Sequence, residues 1–174
     1  ADRIVYHKLR VEWTAGPKAT NGAYGVYPVE STDVLIDSVF VRGASDAGIY
    51  VGQSKNIVVR DSIAKENVAG IEIENSFDAD VHDNVATRNT GGILVFDLPS
   101  LPQQGGHNVR VFENVVSDNS TPNFAPKGNI VASVPTGTGV LVMANRNVEI
   151  FDNVFADNGT ANVKIVGYRY EHKD

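Results

Sequence analysis

Three acidic residues, Glu72, Glu74 and Asp97, have types and spacing that could support chemistry. Glu72 and Glu74 alternate with isoleucine in the segment AGIEIE, and Asp97 directly follows the related segment GGILVF. Carboxylates held close together raise the pKa of at least one of them unless a cation lies between them. Such a group could bind calcium or supply the acid and base of glycoside chemistry. We therefore predict these residues as candidate catalytic groups and calcium ligands, with solvated surface carboxylates as the alternative.

Aromatic and polar residues at related positions could hold a sugar beside these carboxylates. Tyrosine rings present flat faces on which sugar rings can stack. An acidic protein repels polyuronates unless calcium or a basic side chain intervenes, so a nearby lysine is relevant as well. The predicted substrate-binding residues are Tyr27, Tyr50, Asn75, Phe96 and Lys164.

The positions of these residues follow an internal repeat of about 22 residues. Gly25, Gly48, Gly70, Gly92 and Gly139 each open an alternating apolar segment, at spacings of 23, 22, 22 and 47. A fixed period of this length is typical of a solenoid. Each unit holds three short β-branched runs, and leucine is too scarce for a leucine-rich repeat. Three strands per turn, stacked about 4.8 Å apart, predict an all-β fold, a right-handed parallel β-helix of about six rungs.

Two columns of polar residues, mostly asparagine, accompany the repeat glycines. A buried asparagine at each turn can bond its equivalent on the next rung and the backbone groups around it. Asparagine also tolerates the left-handed backbone that tight bends need. We therefore predict a structural role for both columns. The first column is Ser62, Asn84, Asn114 and Asn153, and the second is Asn67, Asn89, Asn119 and Asn158.

Two insertions interrupt the repeat, near residues 96–107 and 119–137. Both are rich in proline and glycine, which is typical of loops. One leaves the end of a Gly-headed strand and the other enters the start of the next, so both should flank the same face. Alternation leaves an apolar group exposed on that face, and exposed apolar columns normally have a covering partner. That partner could be the loops, a second subunit or a ligand, and the apolar group is Leu94, Phe96, Leu141 and Met143.

The strand that precedes the first asparagine column should present a second outward face. Its columns are Asp80, Arg110 and Glu149, and Arg60, His82, Phe112 and Phe151. The first column indicates a ladder of salt bridges. Carboxylates near His82 in DADVHD could recruit a cation, but their spacing matches no established metal motif. We expect an ordinary surface column there.

Composition limits the classes of function. The net charge of −6 argues against nucleic acid as a partner, because that partner demands a basic face. The absence of cysteine excludes a disulfide scaffold and thiol chemistry. No run is apolar enough to span a membrane. The length of 174 residues predicts a single β-helix domain over 1–174.

The first residues, RIVYHKLRVEW, already have the pattern of rung strands, and neither a signal sequence nor a capping element precedes them. We therefore expect a segment of a longer protein. Uncapped rung ends expose unpaired strand edges. Self-association through the rung ends, or through the apolar group Leu94, Phe96, Leu141 and Met143, is the corresponding prediction.

Several phrases resemble a known family. GASDAGIYVGQSKNIVVRDS, NVAGIEIENS, NTGGILVFDLP, FAPKGNIV and GTGVLVMANRNVEIFDN are similar to an exported bacterial family of right-handed parallel β-helix repeat proteins, over residues 43–163. Their repeat style is that of carbohydrate-binding proteins and sugar hydrolases. The resemblance implies the fold and a periplasmic or secreted location. The likeness to alginate epimerases and pectate lyases is one of fold style. The Asp-Pro-His-Asp signature of the epimerases is absent, so their catalytic residues are not carried over.

Two functional hypotheses follow. In the first, the protein binds a polysaccharide on the Gly-headed face, with lyase, epimerase or hydrolase activity as an open question and calcium as a candidate cofactor. In the second, the protein is a non-catalytic structural or partner-binding scaffold. Fold style alone does not decide between them, because function depends on a site.

Overall fold

The computed structural model describes residues 1–168 and forms three parallel six-stranded sheets that the chain visits in turn. Sheet A contains β1 (Asp2–His7), β4 (Thr32–Asp37), β7 (Lys55–Arg60), β10 (Phe77–His82), β13 (His107–Phe112) and β16 (Arg146–Phe151). Sheet B contains β2 (Arg10–Glu12), β5 (Phe40–Arg42), β8 (Ile63–Lys65), β11 (Val85–Thr87), β14 (Val115–Ser117) and β17 (Val154–Ala156). Sheet C contains β3 (Tyr24–Val26), β6 (Ala47–Gly52), β9 (Ala69–Glu74), β12 (Gly91–Phe96), β15 (Thr138–Met143) and β18 (Ala161–Val166). The predicted parallel β-helix with six rungs is confirmed.

Valine and isoleucine fill the space between the three sheets. Ile71 pairs with Ile49 on the preceding rung and with Ile93 on the next, and all three are fully buried. Alternate residues of each strand point to opposite faces of a sheet. The columns that the sequence assigns to the outer faces are therefore set by the same register that builds the core.

The predicted asparagine ladders are confirmed at two of the three corners. Asn84 donates from Nδ2 to the Val59 carbonyl oxygen at 2.9 Å and to Asn114 Oδ1 at 3.0 Å. Its own Oδ1 accepts from the Ser62 backbone N–H at 3.0 Å. Asn89 repeats the pattern with Ala64 and Asn119. Each amide thus satisfies backbone groups that the bend would otherwise leave buried and unpaired.

The left-handed backbone lies one residue before each ladder position. Asp83 has φ of 53° and Arg88 has φ of 56°, whereas Asn84 and Asn89 themselves have ordinary backbone angles. The expectation that the ladder asparagines adopt the left-handed conformation was wrong. The preceding, solvent-facing residue makes the bend, and this turns the asparagine side chain inward.

The third corner, between sheets C and A, carries a serine ladder that the sequence reasoning missed. The Ser31 backbone N–H donates to Ser54 Oγ at 3.0 Å, and the Ser54 backbone N–H donates to Ser76 Oγ at 3.1 Å. Serine is common enough in loops that three members did not stand out. Each corner of the coil thus has its own polar column.

The repeat glycines are explained by close approach between rungs. A Cβ added to Gly70 would lie 2.5 Å from the Gly92 carbonyl oxygen and 2.8 Å from Asn89 Nδ2. No side chain fits at that distance. The glycine column and the second asparagine column are therefore two parts of one tightly packed corner.

Three irregular segments leave the coil. Residues 97–106 connect sheet C to sheet A, and residues 118–137 connect sheet B to sheet C and contain a short 3₁₀ turn at Ile130–Ser133. A further segment, residues 13–23, lies between β2 and β3 and was not anticipated from the sequence. Asn21 anchors it by donating to the carbonyl oxygens of Gly16 and Gly43 at 2.9 and 2.7 Å.

We predict that Asn84→Ala and Asn114→Ala each lower the free energy of unfolding by about 1–3 kcal/mol, because each leaves buried backbone groups unpaired. Thr87→Ala is the control. Thr87 lies on the strand between the two ladders, is half-buried, and makes only a 3.4 Å side-chain contact with Ser117. Chemical denaturation measures the difference, and equal stabilities for the ladder variants and the control would contradict it.

Candidate functional site

The outer face of sheet C has the predicted register but is buried. Glu72 pairs with Tyr50 and Leu94 on the neighbouring rungs, as expected. The expectation that this face is exposed was wrong, because Glu72 is only 1% exposed. The residues buried with it are Tyr50, Glu74, Leu94, Phe96, Leu141 and Met143.

Residues 120–137, which we call the covering loop, hide much of this face. Phe124, Ile130, Val131 and Val134 of the loop pack against the apolar columns of sheet C. Of the three covering partners considered from the sequence, the loop is the one observed. The apolar group Leu94, Phe96, Leu141 and Met143 is therefore not an exposed surface for self-association in this chain.

Three carboxylates, Asp46, Glu72 and Glu74, interact beneath the covering loop. The Tyr50 hydroxyl donates to Glu74 Oε1 at 2.6 Å, and Asn129 Nδ2 of the loop donates to Asp46 Oδ2 at 2.9 Å. Sequence reasoning missed Asp46 and Asn129. Asp46 precedes its Gly-headed strand at a corner, and Asn129 lies in an irregular segment, so neither falls in a periodic column.

Glu72 is an unpaired buried carboxyl group. No donor in the described residues reaches either of its side-chain oxygens. The Glu74 carboxyl lies within hydrogen-bonding reach, but two ionised carboxylates can only accept. The contact becomes a hydrogen bond when Glu72 holds a proton and donates it to Glu74. The geometry thus favours a carboxylic acid at Glu72 beside a carboxylate at Glu74.

Burial sets the acid–base properties of this cluster. It raises the pKa of Glu72 well above the usual value, and the charges of Glu74 and Asp46 raise it further. Burial also raises the pKa of Asp46 to about 6. The pKa of Glu74 is raised by burial, and the hydrogen bond from Tyr50 partly offsets that effect. Strongly perturbed carboxyl groups of this kind often mark functional sites.

Three tyrosines close the edge of the cluster. The ring of Tyr24 stacks on Tyr27 at 4.3 Å between centroids, and Tyr27 stacks on Tyr50 at 4.8 Å. Tyr27 is 50% exposed, whereas Tyr50 is buried. Burial raises the pKa of all three phenols, so they remain neutral donors. The neutral Tyr50 hydroxyl donates its hydrogen bond to Glu74, whereas the ring of Tyr27 is partly exposed to solvent.

The structure separates the remaining predicted site residues from this cluster. Asp97 accepts from the backbone N–H groups of Gly105 and Gly106 at 3.2 and 2.9 Å. Asn75 donates to the carbonyl oxygens of Leu98 and Gln103 at 2.8 and 2.7 Å. Both side chains anchor the 97–106 loop, which explains their position without a ligand.

The other two predicted binding residues differ in exposure. Phe96 is buried in the apolar cluster on sheet C, with 2% of its surface exposed. Lys164 is half-buried on the last rung and pairs with Leu141 in the strand register. The five predicted substrate-binding residues therefore do not line a common open surface.

The outer face of sheet A is open to solvent and carries a concavity of about 500 Å³. Arg110 crosses it by donating to both carboxylate oxygens of Asp80, at 2.7 and 2.6 Å. This pair confirms part of the predicted salt-bridge ladder. The polar residues that line the groove are Asn56, Asp78, Asp80, Asn108, Arg110, Asn147 and Glu149.

A stack of flat side chains borders this groove. The His82 ring lies 4.8 Å from Phe112 at an interplanar angle of 9°, and Phe112 lies 4.9 Å from Phe151 at 2°. The near-parallel rings follow from the parallel register of consecutive rungs. Phe151 is 38% exposed, so part of the stack faces solvent.

One group in the described part of the chain brings three metal-ligating side chains together. Atoms of His82, Asp83 and Glu113 lie within 4.8 Å of one another on a mostly exposed corner. His82 Nδ1 and Asp83 Oδ2 are 2.6 Å apart. Glu72, Glu74 and Asp97 do not form such a group. The exposed carboxylates of Asp83 and Glu113 are explained by their solvation.

The comparison with known families agrees with this architecture. The family model described as the right-handed beta helix region matches residues 18–171. The chain therefore belongs to the right-handed β-helix family, which confirms the predicted handedness and the resemblance to β-helix repeat proteins. Neither the curated proteins nor the solved structures contain a match to this chain. Across residues 1–168, no helix has the length and apolarity needed to cross a membrane.

The acidic cluster predicts a pH-dependent stability. An acid whose pKa is raised by folding stabilises the fold fully below its unfolded pKa, and this contribution is lost as pH rises through the folded pKa. For Asp46 that window runs from 3.8 to about 6, and for Glu72 it begins at 4.5 and continues well above that value. We expect the free energy of unfolding to decline by on the order of 2 kcal/mol from about pH 4 to pH 8.

Glu72→Gln should remove the part of this decline that Glu72 contributes, because the amide cannot ionise and can donate to Glu74. The control is Glu149→Gln, which changes an exposed carboxylate on sheet A and should keep the wild-type slope. Denaturant titrations at a series of pH values make the measurement. Identical slopes for Glu72→Gln and wild type would show that Glu72 is not a buried acid.

Proposed function

We propose that the protein is a polysaccharide-binding β-helix whose ligand lies in the open groove on sheet A. The observation that carries the proposal is the concavity of about 500 Å³, lined by side chains from successive rungs. Ligand sites are typically concave, with a few polar groups that fix orientation. The Gly-headed face, which the sequence favours, is largely filled by the covering loop.

The groove offers both hydrogen-bond donors and hydrogen-bond acceptors. Its asparagine amides both donate and accept, its carboxylates accept, and Arg110 donates. Sugar hydroxyl groups need both kinds of partner. The lining recurs at each rung, so neighbouring sets are about 4.8 Å apart. Such a surface suits an extended ligand with repeating units better than a single compact molecule.

The bordering rings add apolar contact. Phe112 and Phe151 lie parallel, and Phe151 exposes part of its surface. Aromatic faces pack well against the C–H face of a sugar ring. A glycan in the groove would therefore have hydrogen-bonding groups on one side and flat rings on the other.

Charge favours a neutral glycan over a polyuronate. Asp78, Asp80 and Glu149 line the groove, and its arginine is already paired with Asp80. The whole chain has a net charge of −6. A polyanion would be repelled from such a surface. We therefore propose neutral polysaccharide as the ligand class.

The proposal concerns binding rather than bond cleavage. Glu72 and Glu74, the candidates for acid–base chemistry, lie on a different face beneath the covering loop. The alternative of a partner-binding scaffold depends on an exposed apolar surface, and the apolar group on sheet C is covered. A periplasmic or secreted location stays a prediction from the family resemblance, and cell fractionation would test it.

Arg110→Ala should weaken binding of a neutral polysaccharide by about tenfold or more, because it removes a charged donor from the groove. Phe112→Ala should act in the same direction. The matched control is Arg42→Ala, which also breaks an arginine–carboxylate pair, Arg42 with Glu66 at 2.6 Å, but outside the groove. A glycan array followed by titration calorimetry provides the affinities.

Two results would refute the proposal. One is the absence of binding to any neutral polysaccharide by the wild-type protein. The other is equal affinity for the Arg110→Ala, Phe112→Ala and Arg42→Ala variants, which would place the ligand elsewhere. Thermal melting of each variant accompanies the titrations, so that loss of binding is not confused with loss of folding.

A further inference from the structure

We propose that the covering loop is a proton-controlled lid, which closes over sheet C while the cluster of Asp46, Glu72 and Glu74 holds protons and opens when they are released. This inference concerns sheet C and is independent of glycan binding on sheet A. It rests on three features of the geometry, namely an apolar interface, a polar latch in the middle of the loop and a buried group of carboxyl groups. The two ends of the loop are fixed to the coil by other hydrogen bonds, such as the one from the Thr121 backbone N–H to the Asn89 carbonyl oxygen at 3.1 Å.

The apolar interface favours the closed loop. Val131 is fully buried, and Val134 is 4% exposed. Both pack against the outward columns of sheet C, together with Phe124 and Ile130. Burial of apolar surface contributes roughly 25 cal/mol per Å², so closure of the loop is favourable when no charge opposes it.

The polar latch joins the loop to the acidic cluster. Asn129 donates to Asp46 across 83 residues of sequence, at 2.9 Å. The amide is neutral and cannot compensate a full negative charge. Asn123 instead ties the loop to itself, donating to the carbonyl oxygens of Val131 and Val134 at 2.9 and 3.0 Å. The middle of the loop therefore has hydrogen bonds of its own in addition to the latch.

The buried charges oppose closure. The groups that face the cluster are the tyrosines at β3 and β6, the carboxylates at β6 and β9, and the amide of the loop. No lysine or arginine of the described residues is among the groups that shift the pKa values of the three carboxylates. The tyrosines, the carboxylates and the loop amide named above are Tyr24, Tyr27, Asp46, Tyr50, Glu72, Glu74 and Asn129.

Protons are what allow these carboxyl groups to share one buried site. With a proton on Glu72, its carboxylic acid donates to Glu74, which also accepts from Tyr50. Without it, two ionised carboxylates face each other in a buried site. Buried, uncompensated charge is strongly unfavourable. Opening of the loop admits water to these carboxylates and relieves the repulsion.

The direction of the switch follows from the raised pKa values. Burial raises the pKa of Asp46 to about 6 and raises the pKa of Glu72 well above its usual value, because it favours the neutral acids. The loop should be closed in mildly acidic solution and should open as the pH rises. Opening would present the Tyr50 ring and the apolar columns of sheet C to solvent.

Hydrogen exchange tests the proposal on the intact chain. After correction for the intrinsic pH dependence of exchange, protection of backbone amides in residues 120–137 should fall at least tenfold between pH 5 and pH 8. Peptides that contain the ladder residues Asn84 and Asn89 should keep their protection. A uniform loss in both regions would indicate global unfolding and would overturn the proposal.

Variants test whether the protons on Glu72 and Glu74 control the loop. Glu72→Gln combined with Glu74→Gln should keep the loop protected at pH 8, whereas Glu149→Gln should behave as wild type. Asn129→Ala, which removes the latch at a half-buried loop position, should lower protection at pH 5. The Asn129 variant keeps the test decisive even if the double glutamine variant fails to fold, since wild-type protection of the loop at pH 5 would then refute the latch.

The cation alternative is tested in the same experiment. Calcium added at millimolar concentration at pH 8 should leave the open loop unprotected if protons alone control it. Restoration of protection by calcium, abolished in the double glutamine variant, would mean that the carboxylates form a cation site. That outcome would overturn the proton-controlled lid.

Discussion

The hydrogen bond between equivalent asparagines on consecutive rungs is the interaction on which the rest of the structure depends. Through Asn84 and Asn114, and through Asn89 and Asn119, it ties each corner to the next at 3.0 Å. A corner that holds this geometry leaves no room for a side chain at Gly70, because the neighbouring carbonyl approaches too closely. Rung length is therefore constrained, and insertions are confined to places that leave both ladder positions intact.

Because the rung length is fixed, the register of the core residues also sets the register of the residues on the outer faces. Because Ile71 stacks between Ile49 and Ile93, Glu72 must stack between Tyr50 and Leu94. The same constraint aligns Asp80 with Arg110 and brings Phe112 parallel to Phe151 on sheet A. Functional surfaces on this scaffold are thus columns of side chains whose spacing is inherited from the core.

The outer faces differ because of what covers them. Sheet A remains open, and its polar columns form a groove that suits a neutral glycan. Sheet C meets the covering loop, which turns Glu72 from a surface carboxylate into an unpaired buried acid. Desolvation rather than sequence position gives that residue its unusual chemistry. We therefore propose sites of two different kinds, a binding surface on sheet A and a switch on sheet C.

The sequence by itself determined the repeat, the six rungs, the two asparagine ladders and the column that each outward residue occupies, because these follow from periodicity. The role assigned to Asp97 did not follow, since its carboxylate closes a loop through Gly105 and Gly106. The contact between Asp46 and Asn129 could not be predicted from the sequence either, because an aperiodic loop brings the two residues together over a long sequence separation. Only the tertiary structure decided that Glu72 is buried, because the same irregular loop covers it. Local patterns encode which way a side chain points, whereas the path of an irregular loop decides whether water can reach it.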